Sequence, residues 1–249
     1  MMDSMLTKDQ ILERLFDDEQ YYGEFGKRFL SASDLKRYLT SYCPKQKPMN
    51  YEALEFGRLF HTMVLEPNKY ALERPQISQD TLRDLEELKV ALNASQEATE
   101  VLEQASNKFE VPYIKEINGI WLKCKVDIDA ENELWDLKTT SNLDAFRWSS
   151  KVFGYHISAF QYYLLTGKVM HFILVEKGTG RVKLYKSDEE FYKQGRRDWM
   201  WAMRNYKISL TKEWVYMGTS PYYDKHFEMI DNVPFWTKGN KLYTFINKL

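Results

Sequence analysis

Cysteine is scarce in this sequence, in which only Cys43 and Cys124 occur among 249 residues. Two cysteines exclude a disulfide framework, and they exclude a zinc or iron–sulfur site with four cysteine ligands from this chain alone. We therefore interpret both residues as small apolar side chains.

Long apolar runs are also absent. No stretch approaches the roughly 20 residues of a membrane-spanning helix, and the first residues, MMDSMLTKDQ, turn polar too soon for a cleavable signal. Hydrophobic residues nevertheless make up 44% of the chain, which is enough to bury a core. These features predict a soluble, cytoplasmic protein with no membrane partner.

The sequence has no excess of positive charge, since 35 Lys and Arg oppose 36 Asp and Glu. Bulk charge therefore does not indicate a nucleic-acid-binding protein, and any such surface must be local. The best local candidate is the stretch 181–213, where nine basic residues accompany five acidic ones. It fits either a solvated helix face or a surface that follows a phosphate backbone.

The order of predicted elements indicates the fold class. Apolar periodicity and capping residues predict helices at 7–16, after Ser31 or Ser33, at about 51–67, 142–152 and 155–166, and after a cap at Ser187. Residues 78–105 read as a solvated, acidic helical excursion. β-rich runs at 109–115, 119–129 and 132–140 predict an antiparallel meander, and further strands follow at 169–177 and in GRVKLYK.

This order predicts an α/β fold with a mixed central β-sheet flanked by helices. We expect one domain over residues 1–249, with its core at about 30–205 and an aromatic C-terminal extension at about 208–249.

The run NELWDLKTT places charges inside an apolar strand. Asp136 and Lys138 share one face of the strand, which is costly to bury unless the charges are paired or bind a cation. If the preceding strand pairs with it through a tight turn, Asp127 lies near Asp136, and two carboxylates without a cation repel. Mg²⁺ would resolve this conflict, with the Leu137 carbonyl as a further ligand. Lys138 could then orient a water for attack on a phosphodiester.

These residues resemble the PD-(D/E)xK nuclease superfamily, in which Asp127 and Asp136-Leu-Lys138 would lie on a β-meander followed by two helices. The sequence also resembles one branch of this superfamily, the RecE-type (exonuclease VIII-like) nucleases found in phages and prophages. This similarity covers about residues 30–205. It is carried by SASDLKRYL, FGRLFHTMVLEP, FEVPYIKEINGIWLKCKVDI, ELWDLKTT, FGYHISAFQYYLLTG and FILVEKGTGRVKLY. The resemblance implies a restriction-endonuclease-like core.

The resemblance also implies roles for individual residues. His61 and Glu110 would join Asp127 and Asp136 at the metal site, and Lys138 would be the catalytic lysine. Tyr162 would be the tyrosine of the QxxxY helix, which contacts DNA or the catalytic water network.

Further implied roles concern DNA. Ser158 stands at the glutamine position of the QxxxY motif, so Gln161 on a nearby face is the candidate substitute. Ser31 and Ser33 resemble a serine-rich helix start near the DNA 5′ phosphate, and Arg28 could assist.

The implied activity is that of an ATP-independent exonuclease dependent on one or two Mg²⁺ or Mn²⁺ ions. It would degrade one strand of duplex DNA from the 5′ end, leaving a 3′ overhang for homologous recombination by a single-strand annealing protein. The absence of a Walker loop agrees with ATP independence. A homo-oligomer is implied by the resemblance only, with the aromatic tail as a candidate interface.

Other functions stay open from sequence. The chain could be an endonuclease of restriction or repair type, a nuclease-fold protein that binds DNA or a partner without cutting, or an unrelated α/β enzyme. Each candidate residue also has an ordinary structural interpretation: a core histidine at His61, a surface ion pair of Asp136 with Lys138, an edge-strand charge at Glu110, packing by Tyr162, and helix caps at Ser31 and Ser33.

Overall fold

The computed structural model describes residues 6–39 and 50–210. Cys43 and the predicted aromatic extension beyond residue 210 lie outside this part of the chain. Within the described ranges, no helix has both the length and the apolar character that a membrane crossing requires. Cys124 is buried and unpaired in the core, as a small apolar residue would be.

A five-stranded mixed sheet forms the centre of the described structure, which confirms the predicted fold class. Its strands lie in chain order: β1 (Lys108–Ile117), β2 (Ile120–Asp129), β3 (Glu133–Thr140), β4 (Val169–Glu176) and β5 (Val182–Tyr185). The first three form the antiparallel meander, β4 runs parallel to β3, and β5 is antiparallel to β4. Asn118 and Gly119 both have positive φ, as a two-residue type I′ hairpin turn requires.

One face of the sheet is covered by α3 (Ala32–Lys36), α8 (Phe146–Val152), α9 (Tyr155–Thr166) and α10 (Glu189–Leu210). Helices α8 and α9 make the crossover between the parallel strands β3 and β4. Every residue of β4 is buried, because helices pack on both sides of it. This explains its continuous apolar sequence.

The opposite face is covered by α4 (Tyr51–Leu65), α5 (Pro67–Glu73), α6 (Gln79–Ala94) and α7 (Gln96–Leu102). Helix α6 buries Leu82, Leu85, Leu88 and Leu92 at helical spacing, while its acidic residues stay exposed. Each buried leucine contributes about 2 kcal/mol relative to an exposed one. The solvated excursion expected at 78–105 is therefore wrong, since this segment is a layer of the fold.

The helix starts follow side-chain caps, with one correction. Thr7 and Gln10 form the predicted capping box of α1 (Lys8–Phe16), which is followed by α2 (Asp18–Tyr22). The predicted cap of α10 at Ser187 is wrong. Instead, the Asp188 carboxylate accepts the hydrogen bond from the Phe191 backbone N–H at 2.8 Å. The Ser187 N–H donates to the buried His171 Nδ1 at 3.1 Å.

Strands β2 and β3 diverge, and this divergence positions the site. They pair only at Ile128 with Trp135 and at Asp129 with Leu134. Further along β2, Leu30 forms a bridge with Leu122. Its N–H donates to the Trp121 carbonyl at 2.8 Å and its carbonyl accepts from the Lys123 N–H at 3.1 Å. The residues just before α3 are thereby fixed against β2.

Candidate metal and catalytic site

Three carboxylates lie on adjacent strands near the point where β2 and β3 stop pairing. Glu110 on β1 lies opposite Asp127 on β2, because their neighbours on both sides are paired in register. Asp127 lies in turn opposite Asp136 on β3, one position beyond the last β2–β3 pair. Like charges on neighbouring strands destabilise a sheet. The register thus places Asp127 and Asp136 on adjacent strands, and their joint binding of a cation stays a prediction.

Glu110 has a strained backbone. Its φ is +53°, in the left-handed region that non-glycine residues rarely adopt. The conformation costs about 1 to 2 kcal/mol for an L-residue. Such strain concentrates at functional sites, because the surrounding structure must hold it there.

His61 on α4 joins two of these carboxylates in one cluster. Its Nε2 lies 3.3 Å from the Asp127 Oδ2, and its Nδ1 lies 4.0 Å from the Glu110 Oε1. The ligand atoms of the three residues all lie within 4.8 Å of one another. The Nε2 also donates a hydrogen bond to the Leu137 carbonyl. Four potential ligand atoms from α4, β1, β2 and β3 therefore converge.

The donor set fits a divalent cation. Carboxylate and carbonyl oxygens suit Mg²⁺ and Mn²⁺, and the imidazole nitrogen adds a ligand that first-row transition metals accept well. Because a carbonyl only accepts hydrogen bonds, the His61 Nε2 carries a proton between itself and the Leu137 oxygen. A cation bound by both atoms would replace that proton.

The charge state of His61 is consistent with this exchange. Burial lowers the pKa of its imidazole, but Asp127 and Glu110 raise it, and the net shift is upward. The same two carboxylates that would bind a cation therefore favour the imidazolium when none is bound. Metal uptake would release this proton.

Asp136 and Lys138 form a separate pair beside the cluster. The Lys138 Nζ lies 2.6 Å from the Asp136 Oδ2 and 4.0 Å from the Asp127 Oδ2. Burial raises the pKa of Asp136 to about 6, although Lys138 opposes the shift. Burial lowers the pKa of Lys138, but Asp136 and Asp127 more than offset it, and the net shift is upward. Lys138 therefore carries a positive charge at neutral pH.

Asp136 is not part of the three-residue cluster of His61, Glu110 and Asp127. Its role as a metal ligand stays a prediction. Asp127 is fixed by a third contact, because its Oδ2 accepts from the Leu137 N–H at 3.0 Å in place of a strand partner.

Gln161 has a different role from the predicted one. It is fully buried, and its Nε2 donates to the carbonyls of Leu30 at 3.1 Å and Lys123 at 3.0 Å. Its Oε1 accepts from the Trp199 Nε1 at 3.0 Å. The predicted DNA contact of Gln161 is therefore wrong: its amide is used inside the core, where it bonds to two backbone carbonyls and to an indole.

Tyr162, the next residue of α9, has a related contact. Its hydroxyl donates to the Lys125 carbonyl on β2 at 3.0 Å. Burial raises the pKa of this phenol well above its ordinary value, so it stays protonated. This hydrogen bond joins α9 to β2, and the catalytic role of Tyr162 stays a prediction.

The residues predicted to bind DNA near α3 lie at the surface. Ser31 caps α3, accepting from the Asp34 N–H, while Ser33 is exposed in the first turn. Arg28 is exposed, with its guanidinium 5.4 Å from the Phe25 ring centroid. Arg28 also lines a groove of about 410 Å³ with Lys27, Arg37, Tyr38 and Trp121. Its DNA contact, like those of Ser31 and Ser33, stays a prediction.

Sequence reasoning missed two lysines near the cluster. The Lys125 Nζ lies 2.5 Å from the Asp18 Oδ1 and 3.8 Å from the Glu110 Oε2, linking α2 to the site. The alternation of Lys123 and Lys125 in LKCKVDI was a signal that could have revealed it. Lys36 at the end of α3 is the other, and its position depends on tertiary packing that no local pattern indicates.

Comparison with known proteins bears on the fold and the family. A crystal structure titled "putative exonuclease" from Eubacterium rectale is similar, with a TM-score of 0.63, 17% sequence identity, and coverage of 79% of this chain and 86% of that one. At this identity the likeness shows the fold. A structure titled SSO0001 overlaps 82% of this chain and 85% of its own, but at 13% identity and a TM-score of 0.38 it supports no argument. No curated protein matches the sequence.

A family model described as a PDDEXK-like domain of unknown function (DUF3799) matches residues 31–207. The matched range includes every member of the His61, Glu110 and Asp127 cluster together with Asp136 and Lys138. The chain therefore belongs to this family of PDDEXK-like domains.

Proposed function

We propose that this protein is a deoxyribonuclease that depends on Mg²⁺ or Mn²⁺. The observation that carries the proposal is the convergence of His61, Glu110, Asp127 and the Leu137 carbonyl beside the Lys138 ammonium. Membership of the PDDEXK-like family supports it. A bound divalent ion would supply water activation and charge stabilisation at a phosphoryl group.

The chain's own residues would have distinct tasks. Asp127, Glu110, His61 and the Leu137 carbonyl would hold the ion. Lys138, charged and 4.0 Å from the Asp127 Oδ2, would orient the attacking water and stabilise negative charge that develops on the phosphoryl oxygens. Asp136 would keep the ammonium in place through its 2.6 Å contact.

We further propose that the substrate is the end of duplex DNA and that one strand is degraded from its 5′ terminus. The resemblance of the ordered motifs to RecE-type exonucleases supports this choice. The 3′ overhang produced would suit a single-strand annealing protein, and a homo-oligomer would suit processive action.

The test is digestion of a 5′-phosphorylated linear duplex and of a covalently closed circle, with Mg²⁺ or Mn²⁺. Wild type should degrade the linear DNA only. Lys138→Ala should lose cutting by about 10²-fold or more while it retains DNA binding. Lys8→Ala is a matched control, since Lys8 is an exposed lysine on α1.

Other outcomes would identify the alternatives. Cleavage of the closed circle would indicate an endonuclease. Absence of both metal uptake and turnover in the folded protein would indicate a module that binds without cutting. Undiminished cutting by Lys138→Ala would refute the catalytic assignment of this lysine.

A further inference from the structure

Lys36 reaches the site from α3 along a path that a glycine leaves open. A Cβ atom on Gly154 would lie 3.1 Å from both the Cδ and the Cε of Lys36. Gly154 has a φ of +67° and precedes α9, so a residue without a side chain suits this position on two counts. The lysine's alkyl chain thus packs closely over the start of α9.

The ammonium groups of Lys36 and Lys138 both lie near the ring of Tyr155. The Nζ atoms of Lys36 and Lys138 are 5.6 Å and 5.8 Å from the Tyr155 ring centroid. Cation–π contacts of this kind stabilise a partly desolvated ammonium. Two ammonium groups therefore lie close to Tyr155, at one side of the site.

The two lysines differ in their acidic partners. Lys138 is paired with Asp136 at 2.6 Å. Lys36 is half-buried, and no carboxylate within residues 6–39 or 50–210 forms an ion pair with it. Asp136, already paired with Lys138, acts on it only at longer range. A half-buried ammonium without a counter-ion is costly, and an arriving anion would offset this cost. The backbone anchors at Leu30 fix the start of α3, so the position of Lys36 is set beforehand.

We propose that Lys36 binds a phosphate oxygen of the DNA strand that enters the site. This inference rests on the proposed function, because it assigns the substrate's backbone to this ammonium. A lysine contributes a point charge to phosphate binding without base specificity. Lys36 would thus set affinity and position, and Lys138 would act on the reacting phosphoryl group.

The experiment compares Lys36→Met, Lys36→Gln and Lys36→Arg with wild type, and it uses Lys8→Met, at an exposed lysine on α1, as the matched control. Binding of a 5′-phosphorylated duplex is followed by fluorescence anisotropy over a salt series, with Ca²⁺ in place of Mg²⁺. The kcat and KM of digestion are measured with Mg²⁺. Circular dichroism and thermal melting verify that each variant is folded.

We expect Lys36→Met and Lys36→Gln to weaken binding about tenfold at low salt and to reduce the salt slope by about one phosphate contact. KM should rise more than kcat falls, and Lys36→Arg should restore most of the affinity. Lys8→Met should match wild type.

Wild-type affinity and salt slope in folded Lys36→Met or Lys36→Gln would overturn the assignment. If wild type cuts DNA and Lys138→Ala does not, that failure concerns Lys36 alone. If folded wild type neither binds nor cuts DNA, the proposed function and the role of Lys36 both fail.

Discussion

Replacing Gln161 by leucine should destabilise the protein severely while affecting DNA only through folding. The variant leaves the Lys123 carbonyl and the Trp199 Nε1 without their bonds to this amide in a buried region, whereas the Leu30 carbonyl keeps its bond from the Lys123 N–H. A buried polar group without a partner costs about 1 to 3 kcal/mol. Two such groups predict a loss of about 2 to 6 kcal/mol, a large share of a typical domain stability.

Urea unfolding followed by tryptophan fluorescence measures this loss. The matched control is Gln96→Leu, because Gln96 is exposed on α7 and bonds only to Glu100 among the described contacts. That change should stay within about 0.5 kcal/mol of wild type. A Gln161→Leu variant that keeps wild-type stability but loses DNA affinity would refute the structural role and restore the DNA contact.

Three further predictions concern the strain, the protonation and the spacing of the site. Glu110→Gly should be more stable than Glu110→Ala by about 1 kcal/mol in urea unfolding, because glycine relieves the positive φ. This order is the reverse of the usual strand preference, and equal stabilities would argue against strain. The pKa of His61 in the folded protein lies above its ordinary value of 6.5. Without metal, protonation of His61 therefore stabilises the fold fully below pH 6.5, and this stabilisation is lost as pH rises through the folded pKa. Calorimetric Mn²⁺ affinity should rise over the same window and then level off, and His61→Gln should abolish this rise; an unchanged pH profile in that variant would count against His61 as a ligand. Gly154→Ala should lower the free energy of unfolding by about 1 to 2 kcal/mol and reproduce the DNA-binding loss of Lys36→Met, because its Cβ would displace Lys36; wild-type affinity in this variant would contradict the proposed path of the lysine.

The elements of the sheet could be predicted because their signals are local. The turn at Asn118 and Gly119 fixes the hairpin, and the apolar run of β4 indicates burial on both faces. Strand pairing predicted that Asp127 and Asp136 lie on adjacent strands, whereas Glu110 was implied only by the family resemblance. The rules of strand pairing alone therefore predict which residues of neighbouring strands lie side by side.

The errors arose where tertiary contacts decide the role of a polar residue. Gln161 reads as a surface residue on a helix, but in the fold it is buried and donates to the carbonyls of Leu30 and Lys123. Ser187 has the character of a cap, yet His171 holds its backbone in the core and Asp188 caps the helix. Neither the burial of Gln161 nor the histidine contact has a local sequence signal.

Diffraction from crystals soaked in Mn²⁺ tests the central claim most directly. An anomalous peak should lie about 2.0 to 2.3 Å from the Asp127 Oδ2, the His61 Nε2 and the Leu137 carbonyl oxygen, with Glu110 bound directly or through water. Absence of a peak at this cluster in crystals that bind Mn²⁺ elsewhere, or a peak held without Asp127, would contradict the account.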